Sequence, residues 1–299
     1  MSLLTMNPHH TKIIPVIADP VGHATSPFMF NKVFDTYEFN AIVLPIRVPK
    51  GELPNFFKAL KYLNCPGFII SMPHKQDIIP LLDKIDDISV TFNSISAVHI
   101  HEDGTMEGRG FDGKSAVAAI IEGFNLEDKE VMMIGAGGVS GVIGAELANK
   151  GVKKLNILNR TLRKAKKVAD VLMEKTPMEV TYTEFTSNNA KKAAQTADAF
   201  VQATCLGMLG IEQDYENLDF MDFLKKDACV FEVISNPPET SVVKKAHSLN
   251  LKTFIGMDMQ ANGVPLYIEF ITGTVVPKEA KEIARELYCK LFNYTIKIN

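Results

Sequence analysis

Glu130-Val131-Met132-Met133-Ile134, followed at once by Gly135-Ala136-Gly137-Gly138, is the stretch that decides the fold of this chain. The mostly apolar run reads as a buried strand, and the glycines let the backbone turn tightly enough to approach a pyrophosphate. The helix expected from Gly138 to about Lys150 then offers unpaired N–H groups and its positive dipole end to those phosphates. A strict G-x-G-x-x-G pattern asks for glycine or alanine at position 140, where this chain has Ser140, still small enough for close helix–strand packing. The next strand, Lys153 to Leu158, ends at Asn159-Arg160-Thr161, where NAD-binding proteins usually carry an acid for the ribose hydroxyls. Arg160, with Lys164 one helical turn on, suits a 2′-phosphate instead, so NADP is favoured, with NAD the other possibility. The run Arg163-Lys164-Ala165-Lys166-Lys167 also reads as a solvated helix face. What points to a dinucleotide is the order strand, glycine turn, helix, strand, basic end.

Composition sets the outer bounds. The 299 residues suffice for two domains, and 46% hydrophobic with 22% charged residues is ordinary for a soluble globular protein. A formal net charge of −3 gives no general attraction to nucleic acid or to an anionic membrane. No apolar run approaches the ~18–20 residues that span a bilayer, and the first twelve residues lack a secretory pattern. A cytoplasmic protein is therefore expected, with no nucleic-acid or membrane partner. Cys65, Cys205, Cys229 and Cys289 are scattered, without metal-ligand spacing, and are expected as buried reduced thiols with no metal.

Working outward from the glycine turn, strands and helices alternate in both directions. Ahead of it, Lys12–Ala18, Ala41–Ile46 and Gly67–Ser71 read as strands, and Pro27–Tyr37, Gly51–Leu63 and 74–82 as helices. Ile95–His101 and Thr105–Glu107 read as a hairpin around Asp103-Gly104. This alternation predicts a largely parallel sheet covered by helices. After residue 113 come a helix and strands at 130–134, 153–158, 178–182, 198–202, 228–234 and 252–255, then two helices, Met259–Ile271 and Lys278–Leu291. The expected fold class is α/β: an N-terminal α/β substrate-binding and catalytic domain (1–111 and 257–299) and a Rossmann-like, doubly wound NADP-binding domain (112–256). The C-terminal helices return to the first domain, and a cleft is expected between the two.

Ser71-Met72-Pro73-His74-Lys75 lies at the carboxyl end of a predicted strand, where open α/β folds place active-site groups. Asp112 sits at the crossover between domains. Moving a hydride to or from a carbinol carbon needs a group that exchanges the oxygen's proton, which a lysine assisted by a carboxylate can do. Taken singly, each also reads as a surface charge.

These segments resemble the shikimate dehydrogenase family over nearly the whole chain. The family's H-S-x-S-P motif appears as His23-Ala24-Thr25-Ser26-Pro27, and its N-x-T-x-P-x-K motif as Ile69-Ile70-Ser71-Met72-Pro73-His74-Lys75. G-x-N-T-D appears as Gly108-Arg109-Gly110-Phe111-Asp112, and N-A-T-x-x-G-M as Gln202-Ala203-Thr204-Cys205-Leu206-Gly207-Met208. The resemblance implies NADP-dependent, reversible hydride transfer between 3-dehydroshikimate and shikimate, or a related cyclic hydroxy acid such as quinate, by a monomer or homodimer. It implies a catalytic pair of Lys75, which transfers the proton, and Asp112. It implies substrate contacts at Ser26, Ser71, Ser96 and Gly263 or Gln260. Cofactor contacts are implied at Gly135, Ala136, Gly137, Gly138, Asn159, Arg160, Thr161, Lys164, Thr204, Met208 and Gly256.

Several positions depart from the family pattern. Ala24 replaces a carboxylate-gripping serine, Ile69 and Ser96 stand where asparagines are expected, and Ser71 replaces threonine. Ser235 replaces a tyrosine, and Gly263 takes a glutamine's place unless Gln260 serves. Each lost hydrogen bond to a buried polar ligand is worth ~1 kcal/mol. The substrate is therefore expected to be a cyclic hydroxy acid with its hydroxyls or carboxylate arranged differently from shikimate. For His74, a packing or exposed role is expected; for His23, a structural one. Two other readings are a methylene-tetrahydrofolate dehydrogenase-like enzyme and a non-catalytic ligand or nucleotide sensor.

Overall fold

A computed structural model of the chain describes residues 7–22 and 24–295, so His23 lies outside the described residues. The N-terminal unit contains strands β1 (Lys12–Ala18), β2 (Ala41–Arg47), β3 (Gly67–Ile70), β4 (Lys84–Ile85), β5 (Ala97–Ile100) and β6 (Met106–Arg109). Helices α1 (Ser26–Thr36), α2 (Leu53–Leu60) and α3 (Asp87–Phe92) connect them. The sheet order is β2-β1-β3-β5-β6-β4. It is mixed rather than largely parallel: β1 runs parallel to β2 and β3, but β5 is antiparallel to both β3 and β6. The tight hairpin at Gly104 joins β5 and β6 and so makes that pair antiparallel.

The 74–82 stretch is not a helix. Only Ile79–Leu81 forms a short 3-10 turn, because Pro80 has no N–H to donate and the Lys75 carbonyl instead accepts from Ile95 N–H at 3.3 Å. Strand alternation places Phe68 and Ile70 of β3 in a cluster with Ile17, Ile78, Ile95 and Val98. Ile69 is turned to the other face and is also buried.

The second unit opens with α4 (Asp112–Ile121) and continues β7 (Glu130–Ile134), α5 (Ser140–Asn149), β8 (Lys154–Asn159), α6 (Leu162–Lys175), β9 (Glu179–Glu184) and α7 (Ser187–Thr196). It closes with β10 (Ala199–Gln202), β11 (Cys229–Glu232), α8 (Ser241–Ser248) and β12 (Lys252–Phe254). The order is β12-β11-β10-β7-β8-β9 and every pairing is parallel. The chain winds outward from β7 to β9, then returns to β10 on the other side of β7. This is the doubly wound Rossmann arrangement, with its reversal between β7 and β10. The central strands are buried along almost their whole length, as a parallel sheet covered on both faces requires.

Two helices complete the chain, α9 (Gly256–Thr272) and α10 (Ala280–Leu291), and α10 packs on α1. Packing divides the molecule into residues up to Phe111 with Ala261–Tyr294, and Asp112–Gln260. The second division falls after Gln260, within α9 and four residues beyond 256/257. The thiols are less uniformly buried than expected: Cys229 is buried, Cys65 and Cys289 half-buried, and Cys205 exposed. Among the described residues no helix is long and apolar enough to cross a membrane, and no group of side chains has the make-up of a metal site.

Candidate active site and cofactor site

In the second unit the expected cofactor residues lie at the carboxyl ends of four parallel strands, β7, β8, β10 and β12. Gly135 ends β7 at φ +122°, and a Cβ there would overlap the Ala203 carbonyl oxygen just beyond β10. Only glycine fits both that conformation and that approach. Gly137 and Gly138 are exposed, and a Cβ on either would meet open space. That bare backbone ahead of α5 is the kind of cradle a phosphate can approach. Ser140 does more than stay small. Its hydroxyl accepts the Gly137 N–H at 3.1 Å, bracing the turn ahead of α5 with an atom that glycine or alanine lacks.

Past β8, the Asn159 amide donates to the Thr161 carbonyl at 2.9 Å, which leaves Arg160, Thr161 and Lys164 exposed. Lys166 pairs with Asp170 at 2.7 Å, whereas Arg160 and Lys164 form no ion pair among the described residues. Unspent cations here fit a 2′-phosphate. Thr204 to Met208 form a turn after β10, with Gly207 at φ +85° and Met208 N–H donating to the Cys205 carbonyl at 3.1 Å. Gly256 opens α9 against the β11 exit, where a Cβ would overlap Val233 and Ile234 backbone atoms. The donor set and open backbone therefore fit a dinucleotide, with cations at the position expected for NADP.

Asp112 is buried and begins α4. The next residue, Gly113, lets α4 approach α5 so closely that a Cβ would overlap the Val142 carbonyl. Asp112 is thereby fixed in the framework that also carries the turn Gly135–Gly138. In the first unit, Lys75 follows β3 on the turn past Ser71-Met72-Pro73. His74 is fully buried, and its Nε2 donates to the Val48 carbonyl at 2.7 Å beyond β2. Its other ring nitrogen, Nδ1, is buried without a hydrogen-bond partner among the described residues. Of the two roles expected for His74, exposure is excluded; it anchors the turn that carries Lys75.

The expected substrate residues fare unequally. Ser26 begins α1 and Ser71 follows β3, both half-buried in the first unit. Ser96 is buried, and its hydroxyl accepts the Phe111 N–H at 2.8 Å and donates to the Arg109 carbonyl at 3.5 Å, so it is bonded within the fold. Gly263 is buried on α9, one turn after Gln260, whose amide donates to Ser235 Oγ at 2.9 Å. Two of the departures, Ser235 and the alternative Gln260, thus bond each other.

The sequence reading missed Glu232. This carboxyl is fully buried at the end of β11, where it accepts from Ile234 N–H at 3.0 Å and the Thr240 hydroxyl at 2.8 Å. Burial pushes its pKa up to about 8 despite these donors. An acid closing an otherwise apolar strand, Cys229-Val230-Phe231-Glu232, was the available signal.

A doubly wound nucleotide unit joined to a mixed-sheet unit defines a two-domain dinucleotide-binding protein. The sequence profile described as "Shikimate dehydrogenase substrate binding domain" matches residues 16–98, and that described as "Shikimate / quinate 5-dehydrogenase" matches 116–251. The chain is 31% identical to shikimate dehydrogenase (NADP(+)) of Alkaliphilus metalliredigens over 272 residues, which covers 90% of this chain and 94% of that one. It belongs to the shikimate/quinate dehydrogenase family of oxidoreductases. Among solved structures, shikimate 5-dehydrogenase from Listeria monocytogenes, in complex with shikimate and NAD, superposes with a TM-score of 0.83 at 25% identity, covering 93% of this chain and 97% of that one. The 5-ketofructose reductase of Gluconobacter sp. shares the fold, with a TM-score of 0.82 at 24% identity over 94% and 99% of the two chains.

Proposed function

We propose that this protein is an NADP-dependent dehydrogenase that interconverts a cyclic hydroxy acid related to shikimate or quinate and its ketone. The observation that carries the cofactor choice is the basic exit of β8, where Arg160 and Lys164 are exposed and without acidic partners among the described residues. Gly135 to Gly138 would hold the pyrophosphate, Arg160 and Lys164 the 2′-phosphate, and Thr204, Met208 and Gly256 the nicotinamide side. When bound, the cofactor supplies or takes the hydride. Lys75 Nζ carries the proton of the substrate hydroxyl, and the Asp112 carboxylate orients that exchange. The anchored His74 supports this role for Lys75 by limiting how far the turn beneath it can wander.

The choice of substrate rests on the altered positions. Ala24 and Ile69 offer no side-chain hydrogen bond, the Ser96 hydroxyl already accepts a backbone N–H, and Ser235 accepts from Gln260. Losing several ligand hydrogen bonds at ~1 kcal/mol each shifts preference by orders of magnitude. The test compares kcat/KM for shikimate, quinate and analogues with fewer or displaced hydroxyls, using NADP and NAD in turn. An analogue is expected to be turned over faster than shikimate, with NADP preferred. Efficient turnover of shikimate would defeat the altered-substrate reading, and equal use of NAD would defeat the cofactor choice.

A further inference from the structure

One face of the second unit's sheet is not fully closed by its helices. Leu155 of β8 lies on the side packed by α5 and Leu172 of α6, so alternation turns Asn156 to the opposite side, where α7 packs. In register across that side run Met132, Asn156 and Thr181, with Thr183 two residues further along β9. A parallel sheet under a helix is expected to be apolar there, yet beyond Met132 the row turns to amide and hydroxyl groups. Opposite them α7 presents alanines, including Ala193, whose short side chains leave room. A cavity of about 180 Å³ results, lined by these strand residues and Ala193.

Two atoms on its wall are unsatisfied. Asn156 Oδ1 and Thr183 Oγ1 are both buried, and neither has a hydrogen-bond partner among the described residues. Other polar groups on the wall are already engaged: the Asn189 amide donates to the Glu184 carbonyl at 2.9 Å, and Lys154 pairs with Glu179 at 2.7 Å. A buried polar atom left without a partner costs stability that an apolar side chain of similar shape would not. A bound group that donates to Asn156 and shares a hydrogen bond with Thr183 removes that cost.

The lining also states what kind of molecule fits. An amide oxygen needs a donor, which a hydroxyl provides and an ionised carboxylate or phosphate does not. Of the two lysines on the wall, Lys154 is ion-paired and Lys192 is exposed, so the enclosed end is polar but uncharged. A cavity of ~150 Å³ accepts a molecule the size of benzene, so roughly six to eight non-hydrogen atoms fit here. We propose that this cavity is a second binding site, for a small neutral polyol held by Asn156, Thr181 and Thr183. No residue of its wall belongs to the set assigned to the cofactor or to the substrate, so the site stands apart from those assignments.

The experiment titrates the isotope-labelled full-length protein with erythritol, a polyol of about eight non-hydrogen atoms, and follows the Asn156 side-chain amide and the Thr183 N–H by NMR. Sucrose, too large for the cavity, controls for general osmolyte effects. Wild type shows saturable shifts with a Kd of ~1–10 mM, the range open to so small a ligand. Asn156→Leu, read at the Thr183 N–H, and Thr183→Val, read at the Asn156 amide, each raise that Kd roughly tenfold or more. Shifts that do not saturate, or that sucrose reproduces, show a cavity that takes water alone and overturn the proposal. An unchanged Kd in either folded variant overturns it as well. Should Asn156→Leu fail to fold, Thr183→Val, which keeps shape on a strand, decides alone.

Discussion

Lys75 owes its placement to the residue before it. The buried imidazole of His74 is tied to Val48, so the backbone that bears Lys75 is pinned to the exit of β2. If Lys75 moves the substrate proton and Asp112 orients it, Lys75→Ala and Asp112→Asn should each lower kcat by ~10²–10⁴ while NADPH affinity is kept. Steady-state kinetics paired with a binding titration check this, and a variant with normal turnover removes its residue from the mechanism. Arg160 acts on the cofactor alone. A hydrogen bond to a charged group is worth ~1.5–3 kcal/mol, so Arg160→Ala should raise KM for NADPH roughly tenfold and leave KM for NADH unchanged. Equal effects on both cofactors would argue against a 2′-phosphate contact.

At the exit of β7, a single glycine decides how closely two segments pass. An alanine at Gly135 must take a left-handed conformation and push back the Ala203 carbonyl. Overpacking of this kind costs ~1–3 kcal/mol, so Gly135→Ala should lower the urea midpoint and weaken NADPH binding together. Loss of stability without loss of binding would show that the turn does not face the cofactor. The β11 exit carries a different signature. Glu232 titrates near 8 when folded against an ordinary value of 4.5, so the native state holds the extra proton between those limits. Its share of stability is therefore greatest on the acid side and is lost as pH rises toward about 8. E232Q should flatten this slope, and melting both proteins from about pH 5 to about pH 9 reads the difference directly.

Across the molecule, the labour is divided: the proposed phosphate-binding residues lie in Asp112–Gln260, whereas Lys75, Ser26 and Ser71 belong to the other unit. NADPH at about one hundred times its Kd should therefore stabilise the protein by ~2.7 kcal/mol, with the gain in hydrogen-exchange protection concentrated on β7, β8 and β10. Protection confined to β1–β6 would contradict the proposed cofactor site. The same architecture also appears in a 5-ketofructose reductase, so the fold by itself does not set a substrate.

Much of this was legible before any coordinates, because it depends on neighbours along the chain. The apolar run 130–134, the glycines after it and the cations at 160 and 164 act over a few residues, and periodicity located the β7–β12 strands to within two residues. Short pieces escaped: β4 and α3 are too brief for periodicity, and the bonding of Lys75 to Ile95 in place of a helix depends on a segment twenty residues away. The fates of polar side chains were hidden for the same reason. Ser96 meets Phe111, His74 meets Val48, and Glu232 meets Gln202 and Thr240 only after folding brings distant segments together. Local pattern encodes which element forms, since φ/ψ preference and apolar spacing are properties of adjacent residues. Which hydroxyl stays free for a ligand, and which acid is stripped of water, depends on the partners that packing supplies.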